Sequence, residues 1–135
     1  MRIVINFDGG CKNNPGPAVF AYKISYEDKF LTGGGFFKNS TNNRAEWSGL
    51  LYALREVSRT FPLKDLEIEI YSDSELVVKQ LKRIYMVKDL ELKKIFNEVN
   101  EILSQVKSFK IEHIPREENK ECHKLVEEIF KREGL

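Results

Sequence analysis

The stretch "RIVINFDGG", residues 2–10, decides how this chain folds. Ile3, Val4, Ile5 and Phe7 make a short, nearly continuous apolar run, the pattern of a central strand buried on both faces. The run stops at Asp8, and Gly9 and Gly10 follow. A strand of this kind delivers a carboxylate to its carboxyl end, at the margin of a core.

Downstream, "GGCKNNPGP" (9–17) is a turn-rich break in which Asn, Gly and Pro each supply turn geometry. "AVFAYKISYE" (18–27) and "KFLTGGGFFK" (29–38) read as two more strands, joined by a short polar turn at Asp28. Connections this short imply an antiparallel meander. Gly33–Gly35 suggest a bulge or a close backbone approach rather than a phosphate loop, because no Lys-Ser/Thr and helix follow.

The period then changes. "STNNRAEWSGLLYALREVSRT" (40–60) opens with good N-cap residues and carries an apolar stripe through Gly49, Leu50, Ala53, Leu54 and Val57. "LEIEIYSD" (66–73) is a strand in which Ile68 and Ile70 alternate with Glu67 and Glu69. "SELVVKQLKRI" (74–84) and "DLELKKIFNEVNEILSQV" (89–106) read as helices, and "FKIEHIP" (109–115) as a last strand. "ENKECHKLVEEIFKRE" (118–133) is an amphipathic helix with Cys122, Leu125, Val126, Ile129 and Phe130 on one face.

The order is β-β-β-α-β-α-α-β-α, an α/β chain forming a mixed sheet with helices on both faces. Right-handed crossovers place the fourth strand parallel to the first and beside it. The 135 residues read as one domain, 1–135. With 41% hydrophobic and 32% charged residues, the composition suits a globular protein and excludes a disordered one. No apolar run approaches a membrane span, and the N-terminus lacks the form of a signal peptide. Two cysteines without a secretory segment point to a reducing, cytoplasmic setting. The net charge of +1 is uninformative, although residues 79–94 carry six basic against two acidic side chains.

Asp8 and Asp73 end two strands expected to be parallel neighbours, so both project from one sheet edge. Glu46 lies in line with the apolar stripe of its helix, where no basic residue is available to pair with it. An unpaired buried carboxylate must neutralise itself or find a cation. Three converging carboxylates repel unless a multivalent cation lies among them, and hard oxygen donors select Mg²⁺ or Mn²⁺. Such a site implies phosphoryl chemistry in which two ions activate a water and stabilise the leaving oxygen. "DGGCKNN" offers backbone groups beside Asp8, and "STNNR" places amides and the Arg44 guanidinium at a helix N-terminus suited to a phosphate or base edge.

"INFDGGCKNNPGPA", "TNNRAEWSGLLYAL", "IYSDSELVVKQL" and "IPREENKECHKLV" resemble, in order and spacing, the four motifs of type 1 ribonuclease H. The resemblance implies a five-stranded mixed sheet, with the first three strands antiparallel and the last two parallel to the first. It implies cleavage of the RNA strand of RNA/DNA hybrids with two Mg²⁺ ions, leaving 3′-hydroxyl and 5′-phosphate ends. By position, Asp8, Glu46 and Asp73 are the metal-binding carboxylates. Gly9, Gly10, Cys11 and Asn14 fall where the RNA strand is touched, and Asn42, Asn43, Arg44, Ser74 and Glu75 complete the substrate contacts. Glu75 stands where the family often has glutamine.

His123 occupies the position of the family's fourth carboxylate and is expected to bind metal and share in catalysis. Imidazole in that place weakens one Mg²⁺ site and shifts preference toward Mn²⁺. The loop that often carries a Gly-His pair is a short "PREEN" offering Arg116 and Glu117, and His113 is expected to be a packed residue. The lysine- and tryptophan-rich gripping helix of many members is not evident, and residues 79–94 partly replace it. Cys122 is expected as a small packed residue, with a regulatory disulfide to Cys11 as the alternative. The expected partner is the hybrid duplex, engaged by a monomer without a small-molecule cofactor. Two other readings stand beside the nuclease: a non-catalytic hybrid-binding module whose metal site decayed at His123, and a related nuclease acting on double-stranded RNA.

Overall fold

A computed structural model describes residues 1–135. Strands β1 (Arg2–Cys11), β2 (Gly16–Tyr26) and β3 (Lys29–Ser40) are followed by helix α1 (Asn42–Thr60), strand β4 (Glu67–Ser72), helices α2 (Glu75–Leu81) and α3 (Leu90–Leu103), strand β5 (Ser108–His113) and helix α4 (Lys120–Arg132). The sheet order is β3-β2-β1-β4-β5. β1 and β3 run antiparallel to β2, whereas β4 pairs parallel with both β1 and β5. The expected sheet, with its antiparallel meander and parallel crossovers, is the one observed.

The two faces of the sheet are unequal. Ile3, Ile5 and Phe7 of β1 and Ile68 and Ile70 of β4 face α1, α2 and α3 in a cluster of 24 buried residues. On the opposite face Val19 and Ala21 of β2 meet Val126 and Phe130 of α4 in a cluster of four. β1, expected to be buried on both faces, is closed on the α1 side and only half-buried at Val4 and Asn6 on the other. α4 packs chiefly against β2 and β1.

Caps set the helix starts. Thr41 Oγ1 accepts from Arg44 N, Ser74 Oγ from Val77 N, and Asp89 Oδ2 from Leu92 N. α2 ends earlier than its apolar pattern suggests, at Leu81, and Arg83 just beyond adopts φ 63°. The chain that follows leaves Ile84 and Met86 exposed before Asp89 caps α3. The buried Trp47 indole N–H donates to Gln80 Oε1 at 2.8 Å, so α1 and α2 are locked across the core by a satisfied polar pair.

At Gly33–Gly35 the expected close approach is present and the bulge is not. β3 stays in register there, with the rings of Tyr22 and Phe20 against the glycines. The ladder slips instead between Gly16 and Ala18. Gly9 has the same need: a Cβ there would overlap the backbone of Ala45 and Glu46. β1 and α1 consequently touch through main chain at the point where each presents a carboxylate. Gly9→Ala is expected to destabilise the protein by about 1–3 kcal/mol, the ordinary cost of overpacking, as read by urea denaturation.

Candidate metal centre and nucleic-acid cleft

Asp8 ends the apolar part of β1, Asp73 follows the last residue of β4, and Glu46 lies in the second turn of α1. Parallel pairing of β1 with β4 puts the two aspartates at one sheet edge, and the Gly9 contact brings α1 over it. One ligand oxygen from each of the three carboxylates lies within 4.8 Å of the others. Asp8 is 7% and Glu46 8% exposed.

This packing is electrostatically costly. Burial first, and the charge of Asp73 second, push the Asp8 carboxyl up to about 6, against the Gly9 N–H and His123, which favour its charged form. Burial, then the charges of Asp8 and Asp73, push Glu46 up to about 8, with the Ser74 hydroxyl opposing. The only other polar contact on Glu46 is Asn42 Nδ2, which donates to Oε1 at 3.2 Å. A donor set of carboxylate oxygens with an unmet demand for positive charge fits a hard divalent cation.

The three acids open into a cleft of about 440 Å³. Gly9, Gly10, Cys11, Asn42 and His123 line it with them. His123 stands in the first turn of α4, with Nδ1 3.4 Å from Asp8 Oδ2. Asn14 does not face the cleft; its Oδ1 accepts from Asn42 N at 2.9 Å and so holds the β1–β2 turn to the start of α1. Asn43 keeps a buried Oδ1 without a hydrogen-bond partner. Ser74 caps α2 and reaches Glu46. Glu75 is exposed and paired with Lys79. Arg44 turns away: its Nε and Nη2 each donate to Asp89 at 2.7 Å, and it lines a separate cavity between α1 and α3.

The structure places further residues at the site. Lys12 lines the cleft above the Phe130 ring, and Arg116 and Glu127 also line it. Asn119, buried at 2% exposure, donates from Nδ2 to the Phe7 carbonyl and ties the start of α4 to β1 beside Asp8. His113, expected to be packed, is exposed, with Nε2 3.3 Å from the Asp73 carbonyl, because β5 is an edge strand. Glu127 had a signal in its spacing of four from His123, and Arg116 in the short loop "PREEN", whereas Lys12 and the Asn119–Phe7 bond had none. Cys11 and Cys122 are free thiols, and Cys122 is packed at 1% exposure, its thiol pushed up to about 12 by burial. The basic run 79–94 is partly engaged, with Lys79 on Glu75, Lys94 on Glu91 and Arg83 over the Phe96 ring.

Residues 6–129 match the family model described as "Reverse transcriptase-like". A Ribonuclease HI of Halobacterium salinarum is 33% identical over 131 residues, spanning 96% of this chain and 64% of that protein. A Ribonuclease H of Campylobacter jejuni is 31% identical over 136 residues, spanning 94% and 90%. Among solved structures, LC11-RNase H1, isolated from compost by a metagenomic approach and crystallised in complex with an RNA/DNA hybrid, superposes with a TM-score of 0.84 at 36% identity. That match covers 93% of this chain and 94% of the other. The chain thus spans just under two thirds of the Halobacterium protein's length and nearly all of the compost enzyme's. Together these matches show that the chain belongs to the type 1 ribonuclease H family.

The raised carboxyls have a direct consequence. A group that binds its proton more tightly folded than unfolded removes stability as pH rises from its unfolded value through its folded one. For Glu46 that window runs from 4.5 to about 8, and for Asp8 from 3.8 to about 6. Metal-free protein should therefore melt at a lower temperature at pH 8 than at pH 5. Glu46→Gln should raise the melting temperature at pH 8 with little change at pH 5, and Mg²⁺ should stabilise the wild type at pH 8 far more than the variant, as followed by calorimetry in EDTA and then Mg²⁺.

Proposed function

We propose that this protein is an endonuclease that hydrolyses the RNA strand of RNA/DNA hybrids, with Asp8, Glu46, Asp73 and His123 holding divalent cations. The observation that carries the reading is the carboxylate cluster: three acids within 4.8 Å, two of them buried and raised, at the floor of an open cleft. The crystallisation of the LC11 relative with a hybrid supports the choice of substrate. Bound Mg²⁺, with Mn²⁺ as substitute and two ions per site, supplies activation of a water for in-line attack on phosphorus and a counter-charge for the leaving 3′ oxygen. The products are then 3′-hydroxyl and 5′-phosphate ends.

The chain's own groups bind and orient. Gly9, Gly10 and Cys11 line the cleft beside Asp8, where a sugar–phosphate strand can lie against them. Asn42 sits at the N-terminus of α1 and lines the cleft, suited to base edges in the shallow groove of the hybrid, whereas the Asn43 Oδ1 is buried. A ribose 2′-hydroxyl, donor and acceptor at once, finds carboxylates and carbonyls at the cleft floor, which favours RNA in the cut strand. Lys12 and Arg116 place positive charge in the cleft with the acids, where flanking phosphates can be held. Arg44, committed to Asp89, acts indirectly by holding the start of α1 against α3.

Cleavage of an end-labelled hybrid, with RNA/RNA and DNA/DNA duplexes as controls and Mg²⁺ compared with Mn²⁺, tests the reading. Asp8→Asn should lower hybrid cleavage by more than about 100-fold, beyond the loss usual for residues that only support a ligand. Arg116→Ala should weaken hybrid binding and flatten its salt dependence. Tight binding without cleavage in either metal would replace the enzyme with a hybrid-binding module, and cutting of RNA/RNA would widen the substrate class.

A further inference from the structure

His123 stands where the family pattern carries its fourth carboxylate, and the structure surrounds its ring with charge. Nδ1 lies 3.4 Å from Asp8 Oδ2, and Nε2 lies 3.0 Å from Glu127 Oε1. Glu127 is four residues further along α4, so it stands one turn away on the same helix face, and both residues line the cleft. The Glu127 side chain is 62% exposed, with the His123 ring as its neighbour one turn back. Core packing therefore does not require an acid at this position.

Arg116 complicates the picture and then resolves it. Its Nη2 lies 3.1 Å from Nδ1 and 2.6 Å from Nε2. The lone pairs of the two ring nitrogens diverge, so one guanidinium nitrogen within reach of both cannot lie along both axes. Arg116 sits beside the ring, and the two carboxylates flank the two nitrogens. Of these, Asp8 belongs to the acid cluster, whereas Glu127 is uncommitted and nearer its nitrogen. Glu127 is thus the better acceptor for a single ring proton.

We propose that Glu127 is a positioning residue for His123. By accepting from Nε2–H it fixes the ring and its tautomer and leaves the Nδ1 lone pair facing Asp8, as a nitrogen donor to the cation held there. Histidines that bind metals generally donate their other ring N–H to a carboxylate or carbonyl, which orients the ring and raises its basicity. Here the arrangement returns to the site, one turn further along the helix, an acid that the histidine displaced. The inference rests on the reading of the cleft as a divalent-cation centre.

The test combines ¹⁵N NMR of histidine-labelled protein, with and without Mg²⁺, and Mn²⁺ affinity by titration calorimetry. Glu127→Ala, Glu127→Gln, His123→Ala and the double alanine variant are compared with wild type; the chain has only two histidines, so His123→Ala assigns the signal. In wild type, Nε2 should be protonated and Nδ1 should shift with Mg²⁺. Glu127→Ala should mix the tautomers and weaken Mn²⁺ binding about 10-fold. Glu127→Gln keeps an oxygen acceptor and should recover most of that affinity. In the His123→Ala background, removing Glu127 should change nothing further.

An unchanged spectrum and affinity in Glu127→Ala would overturn the proposal, as would protonation at Nδ1 in wild type. A loss that persists without His123 would also overturn it, since Glu127 would then act on the cation directly. Wild type that binds no Mn²⁺ would instead remove the cation centre, while the metal-free ¹⁵N spectrum would still decide whether Glu127 sets the tautomer.

Discussion

Repulsion among three carboxylates is the interaction on which this structure turns. Asp8, Glu46 and Asp73 are held within a few ångströms, two of them nearly out of solvent, and both buried groups are driven toward their neutral forms. The local offsets are few: the Gly9 N–H, one Asn42 amide, one Ser74 hydroxyl and the neighbouring histidine are the favourable contacts. The cluster persists because the surrounding packing over-determines it, which is how strained functional arrangements are maintained.

That packing is main chain against main chain. The absence of a Cβ at Gly9 lets the start of α1 touch β1, and Gly49 lets the middle of the same helix approach the Asp8 and Ala21 carbonyls. The Trp47–Gln80 pair then fixes α2, and with it the turn carrying Asp73 and Ser74, against α1. On the other face Asn119 bonds the Phe7 carbonyl, one residue before Asp8, and sets where α4 begins. Each site residue is thus anchored to the same short piece of β1 from a different direction.

The outer parts of the cleft follow a different logic. Its charges are arranged as pairs and near-pairs, with His123 between Asp8 and Glu127, Arg116 beside the ring, and Lys12 over Phe130. Such contacts are weaker individually and more exposed than the core acids. They adjust the site and the approach of a polyanion without deciding whether the fold forms.

Much of this was legible in the residues. The apolar run ending at Asp8, the alternation through Ile68 and Ile70, and the stripe containing Glu46 predict strand, strand and helix, because burial imposes its own period on each element. The same patterns, with right-handed crossovers, predict a mixed sheet and put Asp8 and Asp73 at one edge. What they could not convey is how side chains far apart in sequence divide their partners. Arg44 pairs with Asp89, 45 residues away, and Asn119 with Phe7, 112 away. The unequal faces of the sheet, the exposure of His113 on an edge strand and the meeting of His123 with Glu127 and Arg116 belong to the same class. Sequence alone determined the elements and the acids they carry, since periodicity and charge are properties of the chain. Only the tertiary structure decided which charges meet and which are spent elsewhere, because a hydrogen bond depends on distance and direction in space.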